Sequence, residues 1–455
     1  MSGGAACGTC FPRLATPAEA DGMLTRGQKA RRSQQQLDAI QALSGHVLEL
    51  GPVAALLVLQ LSVRQLWLLK RVNRYFRRMA TAALMTMKRP VVGGGIPQEG
   101  GQQSIELLDL GSLRWSVKVL LPAARTDAAM TLMSDGTMMM AGGDIAPESE
   151  RASLRGWTVT NGVECYAPAT QTWASMPRLN TERTSLRLVC CPKPGARRGG
   201  PSGDVRVLAL GGCDDVENDT ASVEGLDPCA DAWIELAPMR TARHSFACAC
   251  TTSGMVVAAG GQDRHGEDLQ DAEVYDPLKN TWTPLPDIPD ECRGATTGWE
   301  LEGYPDIVVV CGLGEEDTTR RCAYAIDLSD PPNLQYWQLL WSADFEKRHL
   351  DTGAGAAGAV VPVRGGCLLI GGSSAQNDNP DDPRCAESLA CADLYDEETD
   401  RVYHLPHPMR YPRRWTFSFP GLHPTLDMAA APTPPPRADP VQGAAEMPDA
   451  ATVAL

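Results

Sequence analysis

Histidine is scarce in this 455-residue chain, with seven in all: His46, His244, His265, His349, His404, His407 and His423. Only His404 and His407, in "HLPHP", stand close together, and there the local frame reads as an inter-strand turn rather than a ligand pair. The chain also lacks a Gly-x-Ser-x-Gly elbow, a phosphate-binding P-loop and a persuasive Cys–His couple. Acyl transfer, nucleotide-driven chemistry and thiol catalysis therefore have no carriers, and the chain is expected to be non-catalytic and without a cofactor. Long apolar runs are missing too: the uncharged stretch Leu50 to Val63 is 14 residues, where a membrane span needs about 20. The first thirty residues hold no apolar core segment, so no secretory leader is expected. Positive charge is short, 41 Lys and Arg against 56 Asp and Glu, for a net charge of −15. Such a chain repels phosphate backbones, which argues against nucleic acid as a partner.

Cysteine is not scarce. The 15 thiols are scattered beside apolar residues, as in "FACAC" and "LVCCP", and read as reduced, buried side chains of a cytoplasmic or nuclear protein. "CGTC" at Cys7–Cys10 has zinc-knuckle spacing, but no second pair stands near it, so no metal centre is expected.

Glycine (43) and proline (35) are abundant and favour short strands with many turns. Residues 1–35 read as a flexible start, and 36–85 carry a helical pattern. The end of the chain, from 421 and most plainly from 427, is Ala/Pro-rich with almost no large apolar side chains and reads as a disordered tail. Between them the chain repeats. Gly doublets close apolar runs at Gly94-Gly95, Gly142-Gly143, Gly211-Gly212, Gly260-Gly261 and Gly371-Gly372, with a degenerate version at Gly312–Gly314. A polar loop of variable length follows each doublet, then a signature of the type "AEVYDPLKNTW", in which Tyr275 precedes the turn. The closing aromatics are Trp115, Trp173, Trp233, Trp282, Trp337 and Tyr403, spaced by 58, 60, 49, 55 and 66 residues. After most of them comes a Pro step and an arginine: Arg125, Arg183, Arg243, Arg293 and Arg413.

Three features recurring in one order imply a four-stranded unit in which the Gly doublet admits positive φ or close backbone approach. One such unit cannot bury both faces, so the units must stack radially with their aromatics wedged between neighbours. This order of apolar run, Gly-Gly, Tyr-Asp and Trp resembles the kelch repeat, whose period is about 50 residues. The resemblance implies an all-β, six-bladed kelch-type β-propeller over residues 86–420, preceded by a small helical module. The spare run "RRWTFSF" at 413–419 is expected to complete blade one and seal the ring, with "ALMTMK" as the competing source of that strand. The arginines could ring one channel mouth and attract an acidic peptide; the structural alternative has each bonding a neighbouring blade. Acidic loops such as "GCDDVEND" (212–219) and "NDNPDDP" (377–383) read as solvated loops.

Within 36–85, apolar residues Leu61, Leu66, Leu69, Val72 and Phe76 fall at helical spacing, and Ser62 can cap a helix. The stretch "LSVRQLWLLKRVNRYFRRMA" resembles the second half of an F-box, whereas "LELGPV" matches its start weakly and Ser62 and Gln65 depart from it. The resemblance implies a segment that docks on the Skp-type adaptor of a cullin ubiquitin ligase through Leu61, Leu66, Trp67, Leu69, Val72 and Phe76. Together the two resemblances imply an F-box/kelch substrate receptor for an unknown target protein. A kelch scaffold without ligase coupling, or a copper oxidase of kelch type, are the alternatives; the scarcity of histidine speaks against the last.

Overall fold

A computed structural model describes residues 58–94, 104–133, 136–145, 157–193, 205–214, 218–227, 230–292, 295–313, 320–332, 334–344, 359–371, 391–409 and 416–422. The expected flexible start, the first part of the helical module, Gly95, Gly372, Arg293, Arg413, the loop 377–383 and everything after Leu422 lie outside these residues.

Six four-stranded antiparallel sheets dominate the described residues. Blade 2 is built from Ala129–Leu132, Met138–Ala141, Val163–Ala167 and Thr172–Ser175. Blade 3 uses Arg187–Pro192, Val205–Leu210, Val223–Leu226 and Ile234–Leu236, and blade 4 uses Ala247–Cys250, Val256–Ala259, Ala272–Asp276 and Thr281–Leu285. Blade 5 comprises Thr297–Glu300, Ile307–Leu313, Arg320–Asp327 and Gln338–Asp344; blade 6 comprises Ala359–Val363, Gly366–Ile370, Ala392–Asp396 and Arg401–His404.

Blade 1 differs in its connectivity. Its strands Arg89–Gly94, Ser104–Asp109 and Arg114–Leu120 are joined by Thr416–Leu422, which pairs antiparallel with the first, Gly94 opposite Thr416 and Val92 opposite Ser418. The C-terminal run supplies the missing strand. "ALMT" instead ends a helix, so the N-terminal side cannot supply it. The strand runs through Gly421 and Leu422, past the boundary set at 420 and into the expected tail.

The second strand of each blade explains the architecture. "MMMA", "VLAL", "VVAA", "VVVC" and "LLI" are apolar without alternation because both faces are covered. Successive side chains point to opposite seams: Met138 and Met140 pack with blade 1 residues Val91 and Leu107, while Met139 and Ala141 pack with Leu188 and Val207 of blade 3. The same division recurs at the seams between blades 3 and 4, 4 and 5, and 5 and 6, and the seam between blades 6 and 1 closes the ring. Thiols fill small positions in these seams. Cys165, Cys191, Cys311, Cys322 and Cys367 are buried, and none of the cysteines among the described residues forms a disulfide. Burial pushes the Cys311 thiol up to about 12, as suits a small apolar filler.

Among the described residues, two helices precede the ring. Helix α1, Val63–Leu69, starts at Ser62, whose hydroxyl accepts from the Gln65 N–H while the Gln65 side chain accepts from the Ser62 N–H. Helix α2, Arg74–Thr86, is capped by Asn73, whose Oδ1 accepts from the Phe76 N–H at 3.0 Å. Among the described residues no helix is long and apolar enough to cross a membrane.

Candidate interaction surfaces

Among the described residues, the arginines that precede the first strands do not form an open ring. Arg125, Arg183 and Arg243 are at most 1% exposed. Arg125 pairs with Glu164 at 2.8 Å, Arg183 pairs with Glu224, and Arg243 reaches both Asp271 (2.5 Å) and Glu273 (3.3 Å). Each acid belongs to the third strand of the blade that the arginine introduces, or lies just before it. The arginines also donate to carbonyls next to that strand: Arg125 to Gly162, Arg183 to Gly211 and Ser222, Arg243 to Gly260 and Asp271. Assignment of these three as partner-binding residues is thereby corrected. Their guanidinium groups are consumed in pinning each blade's first turn to its own third strand, not to the neighbouring blade. In blade 6 the equivalent acid, Asp393, lies 2.6 Å from His404 Nδ1, which accounts for one half of "HLPHP".

The Gly doublets join one blade to the next. Gly142 and Gly143 have φ of +65° and +88°, and Gly143 N–H donates to the Arg183 carbonyl at 2.9 Å. Gly211 and Gly212 repeat this with Arg243, at φ of +58° and +97°. A Cβ on Gly142 would lie 2.5 Å from the Arg183 carbonyl, and one on Gly211 2.5 Å from that of Arg243, so side chains are excluded sterically as well as conformationally. Gly260 and Gly261 share the geometry, and Gly371 has φ of +71°. Asp127, Ser185 and Ser245 occupy the left-handed region and link head to tail: Ser185 N–H donates to the Asp127 carbonyl and Ser245 N–H to that of Ser185, both at 2.9 Å.

The aromatics complete the seams. Tyr275 lies opposite Trp282 with ring centroids 5.2 Å apart. Four of the closing indoles donate their N–H to the chain leaving the preceding blade: Trp173 to Leu120, Trp233 to Pro177, Trp282 to Ala237 and Trp337 to Pro286, at 2.7–2.9 Å. In blade 1 Trp115 packs against the cluster at the 6–1 seam.

The helical module sits on that same seam. Leu66, Leu69 and Phe76 are buried at 0%, 1% and 4% exposure with Val92 and Leu108 of blade 1 and Leu368, Ile370 and Leu394 of blade 6. Leu61, Trp67 and Val72 pack partly buried against the same cluster. Polar contacts fix the pose: Trp67 Nε1 donates to the Leu110 carbonyl at 2.9 Å, Gln65 to Glu398 at 2.7 Å, Val63 N–H to the Arg364 carbonyl at 3.2 Å, and Lys70 to the Gly111 carbonyl. Arg64 lies 4.8 Å over the Tyr403 ring and 3.7 Å from Asp396. The six residues assigned to an external docking face thus face the propeller instead. Helical spacing identifies the apolar stripe; it cannot say which partner covers the stripe.

What the module turns outward is basic. Arg71, Arg74, Arg77 and Arg78 are exposed, and residues 58–88 contain no acid. Three of these arginines crowd the first turns of α2, where the helix dipole and their mutual repulsion both disfavour positive charge.

The loops after the Gly doublets are described only in part. In blade 3 the expected solvated loop closes on itself, Asn218 N–H donating to Asp214 Oδ1 at 2.8 Å, but its end, Asp219, turns inward to His244. Cys213, Asp219 and His244 offer one ligand atom each, all within 4.8 Å of one another. Sequence reasoning misses this trio because its members are not all neighbours along the chain. Aligning the residues after each Gly doublet with those after each arginine, column by column, is the signal that finds it.

Comparison with known proteins locates the repeat independently. The Kelch motif model matches residues 243–289, which is Arg243 through blade 4. An F-box/kelch-repeat protein of Arabidopsis thaliana (At2g44130) is 31% identical over 163 residues, covering 35% of this chain and 37% of that protein. A second from the same organism (At1g67480) is 36% identical over 117 residues, 24% of this chain and 30% of its own. Kelch-like protein 23 of Homo sapiens is 30% identical over 161 residues, 34% of this chain and 26% of its own. The chain thus spans about a third of the length of the curated relatives it matches. Among solved structures, "Structure of YjhT" aligns with a TM-score of 0.48 and 12% identity, covering 70% of this chain and 97% of its own.

Proposed function

We propose, on the premise that the chain is a kelch-repeat protein of the F-box/kelch type, that it is the substrate-recognition subunit of a cullin-RING ubiquitin ligase. The propeller holds a target protein, and the N-terminal module meets a Skp-type adaptor in the cytoplasm or nucleus. The chain itself makes and breaks no bond; it holds a target lysine where the ligase acts, so its contribution is proximity.

The observation that carries this reading is the basic outer face of α2. The module is held rigidly on the 6–1 seam by its apolar stripe, which leaves Arg71, Arg74 and Arg78 pointing away from an otherwise acidic protein. Charge placed against the helix dipole has a cost of some tenths of a kcal/mol per residue that folding does not recover. An acidic adaptor surface recovers it. The adaptor contact is therefore assigned to this face, in place of Leu66, Leu69 and Phe76.

A second reading is favoured by the same burial. If the module only caps the 6–1 seam, the protein is a kelch interaction scaffold without ligase coupling. Co-purification of the full chain with a Skp-type adaptor separates the two. The ligase reading expects a stoichiometric adaptor that Arg74→Glu with Arg78→Glu releases while the thermal midpoint is unchanged. Leu66→Asp should instead lower that midpoint, since Leu66 is core. An adaptor absent from the wild-type preparation overturns the ligase reading in favour of the scaffold.

A further inference from the structure

We infer that Cys213, Asp219 and His244 form a zinc site at the seam between blades 3 and 4. Three donors of different kinds converge there from two blades. Cys213 directly follows the Gly211-Gly212 doublet, Asp219 ends the short loop after it, and His244 follows Arg243. Their ligand atoms lie within 4.8 Å of one another. The trio is largely shielded: Cys213 is 8% exposed, and the side chains of Asp219 and His244 are 5% and 19% exposed.

The backbone under each donor is fixed. Cys213 bridges both Thr184 and Asp219, with Thr184 N–H to Cys213 carbonyl at 2.9 Å and the reverse bond at 3.0 Å. Asp219 is held between Asn218, bonded to Asp214, and Thr220, whose N–H donates to the Gly212 carbonyl. His244 exchanges both backbone hydrogen bonds with Gln262. Donors on a backbone this constrained need little rearrangement to bind a metal.

The donor chemistry selects the ion. Calcium and magnesium take oxygen ligands, whereas thiolate, imidazole and carboxylate together suit zinc. With bonds of about 2.0–2.3 Å, tetrahedral ligand atoms stand roughly 3.3–3.8 Å apart. The 2.8 Å between His244 Nδ1 and Asp219 Oδ1 is shorter, the length of a hydrogen bond across a shared proton. Zinc displaces that proton and opens the pair by about half an ångström. Three protein ligands leave the fourth position for water or a partner's side chain.

The sibling blades show what plain structural locking looks like at these positions. In blade 2 the residue after the Gly doublet is Asp144, which accepts from Thr184 Oγ1 at 2.6 Å. In blade 4 it is Gln262, which donates to Asp268 at 3.0 Å. The first of these bonds crosses the seam between blades 2 and 3, and the second lies within blade 4. The seam between blades 3 and 4 alone, among the described equivalents, carries thiol, imidazole and carboxylate together.

The test uses the full chain, stripped of metal and titrated with Co²⁺ and then with Zn²⁺ against a chromophoric chelator. One equivalent of Co²⁺ should give a thiolate-to-cobalt charge-transfer band in the near ultraviolet, which Zn²⁺ displaces. Cys213→Ser and His244→Gln should abolish the band and weaken zinc by at least about tenfold, because even outer-shell losses cost that much. Cys7→Ser with Cys10→Ser, which removes the "CGTC" pair, should leave both unchanged, and an unaltered thermal midpoint of metal-free Cys213→Ser shows that the fold survives. A wild-type band that is absent, that persists in Cys213→Ser, or that vanishes with the "CGTC" pair overturns the site.

Discussion

Replacing Arg243 by methionine should unfold blade 4 before it affects any partner. The guanidinium is fully buried. It donates to the Gly260 and Asp271 carbonyls at 2.8 and 3.1 Å, to Asp271 Oδ2 at 2.5 Å and to Glu273 Oε1 at 3.3 Å. Methionine fills much of the volume but leaves the Glu273 carboxylate, 2% exposed in the ion pair, without its cation. Deleting one member of a buried ion pair costs about 3–5 kcal/mol. Glu273 keeps two N–H donors, from Arg240 at 2.8 Å and Thr241 at 3.3 Å, so the lower end, about 3 kcal/mol, is expected. Urea unfolding followed by tryptophan fluorescence measures it, since Trp282 and Trp337 lie in the two seams that flank blade 4. The double variant Arg243→Met with Glu273→Leu should regain most of the loss, because an apolar pair of similar volume replaces a buried ion pair at little net cost. A single variant within about 1 kcal/mol of wild type, or a double variant no better than the single, would refute the pinning role and return Arg243 to the surface candidates.

Two further outcomes come from closure and from burial. Ending the chain before Thr416 removes the strand that pairs with Arg89–Gly94, so it should lower the thermal midpoint of the whole ring and promote association through the open edge, visible by light scattering; ending it after residue 425 should do neither. Asp127 is raised to about 7, first by burial and then by the charge of Asp144. The folded state therefore keeps a proton that the unfolded chain gives up near 3.8, and the stability it contributes is complete below that value and lost as pH rises through about 7. Asp127→Asn should flatten the fall in thermal midpoint between about pH 4 and 7.5, and an unchanged profile would show that Asp127 does not titrate there.

The repeat was legible because its signals are local. A doublet such as Gly260-Gly261, a Tyr-Asp turn and a Trp each leave a mark within a dozen residues, and the order repeats. The closing strand was legible for a different reason: "RRWTFSF" was left over once the units were counted. What could not be read is pairing across distance. Arg243 and Glu273 are 30 residues apart, and nothing in either segment says that the acid belongs to the same blade rather than the next. The helical stripe of Leu66, Leu69 and Phe76 was visible as a stripe, but an apolar face looks the same whether a propeller or an adaptor covers it. Cys213 and His244 meet only because one doublet packs on the following arginine, a contact that exists in the ring and nowhere in the linear order.

The strand that seals blade 1 also sets a schedule for biosynthesis. Gly94 leaves the ribosome more than three hundred residues before its partner Thr416, which at 5–20 residues per second is roughly 16 s to a minute. Throughout that interval the Arg89–Gly94 strand exists with one edge unpaired, and the seam between blades 6 and 1 has only one wall. The module of α1 and α2, already made, is the nearest apolar surface able to shelter the Val92 and Leu108 side of that wall. The helices are thus synthesised before the first blade that they cover and long before the last.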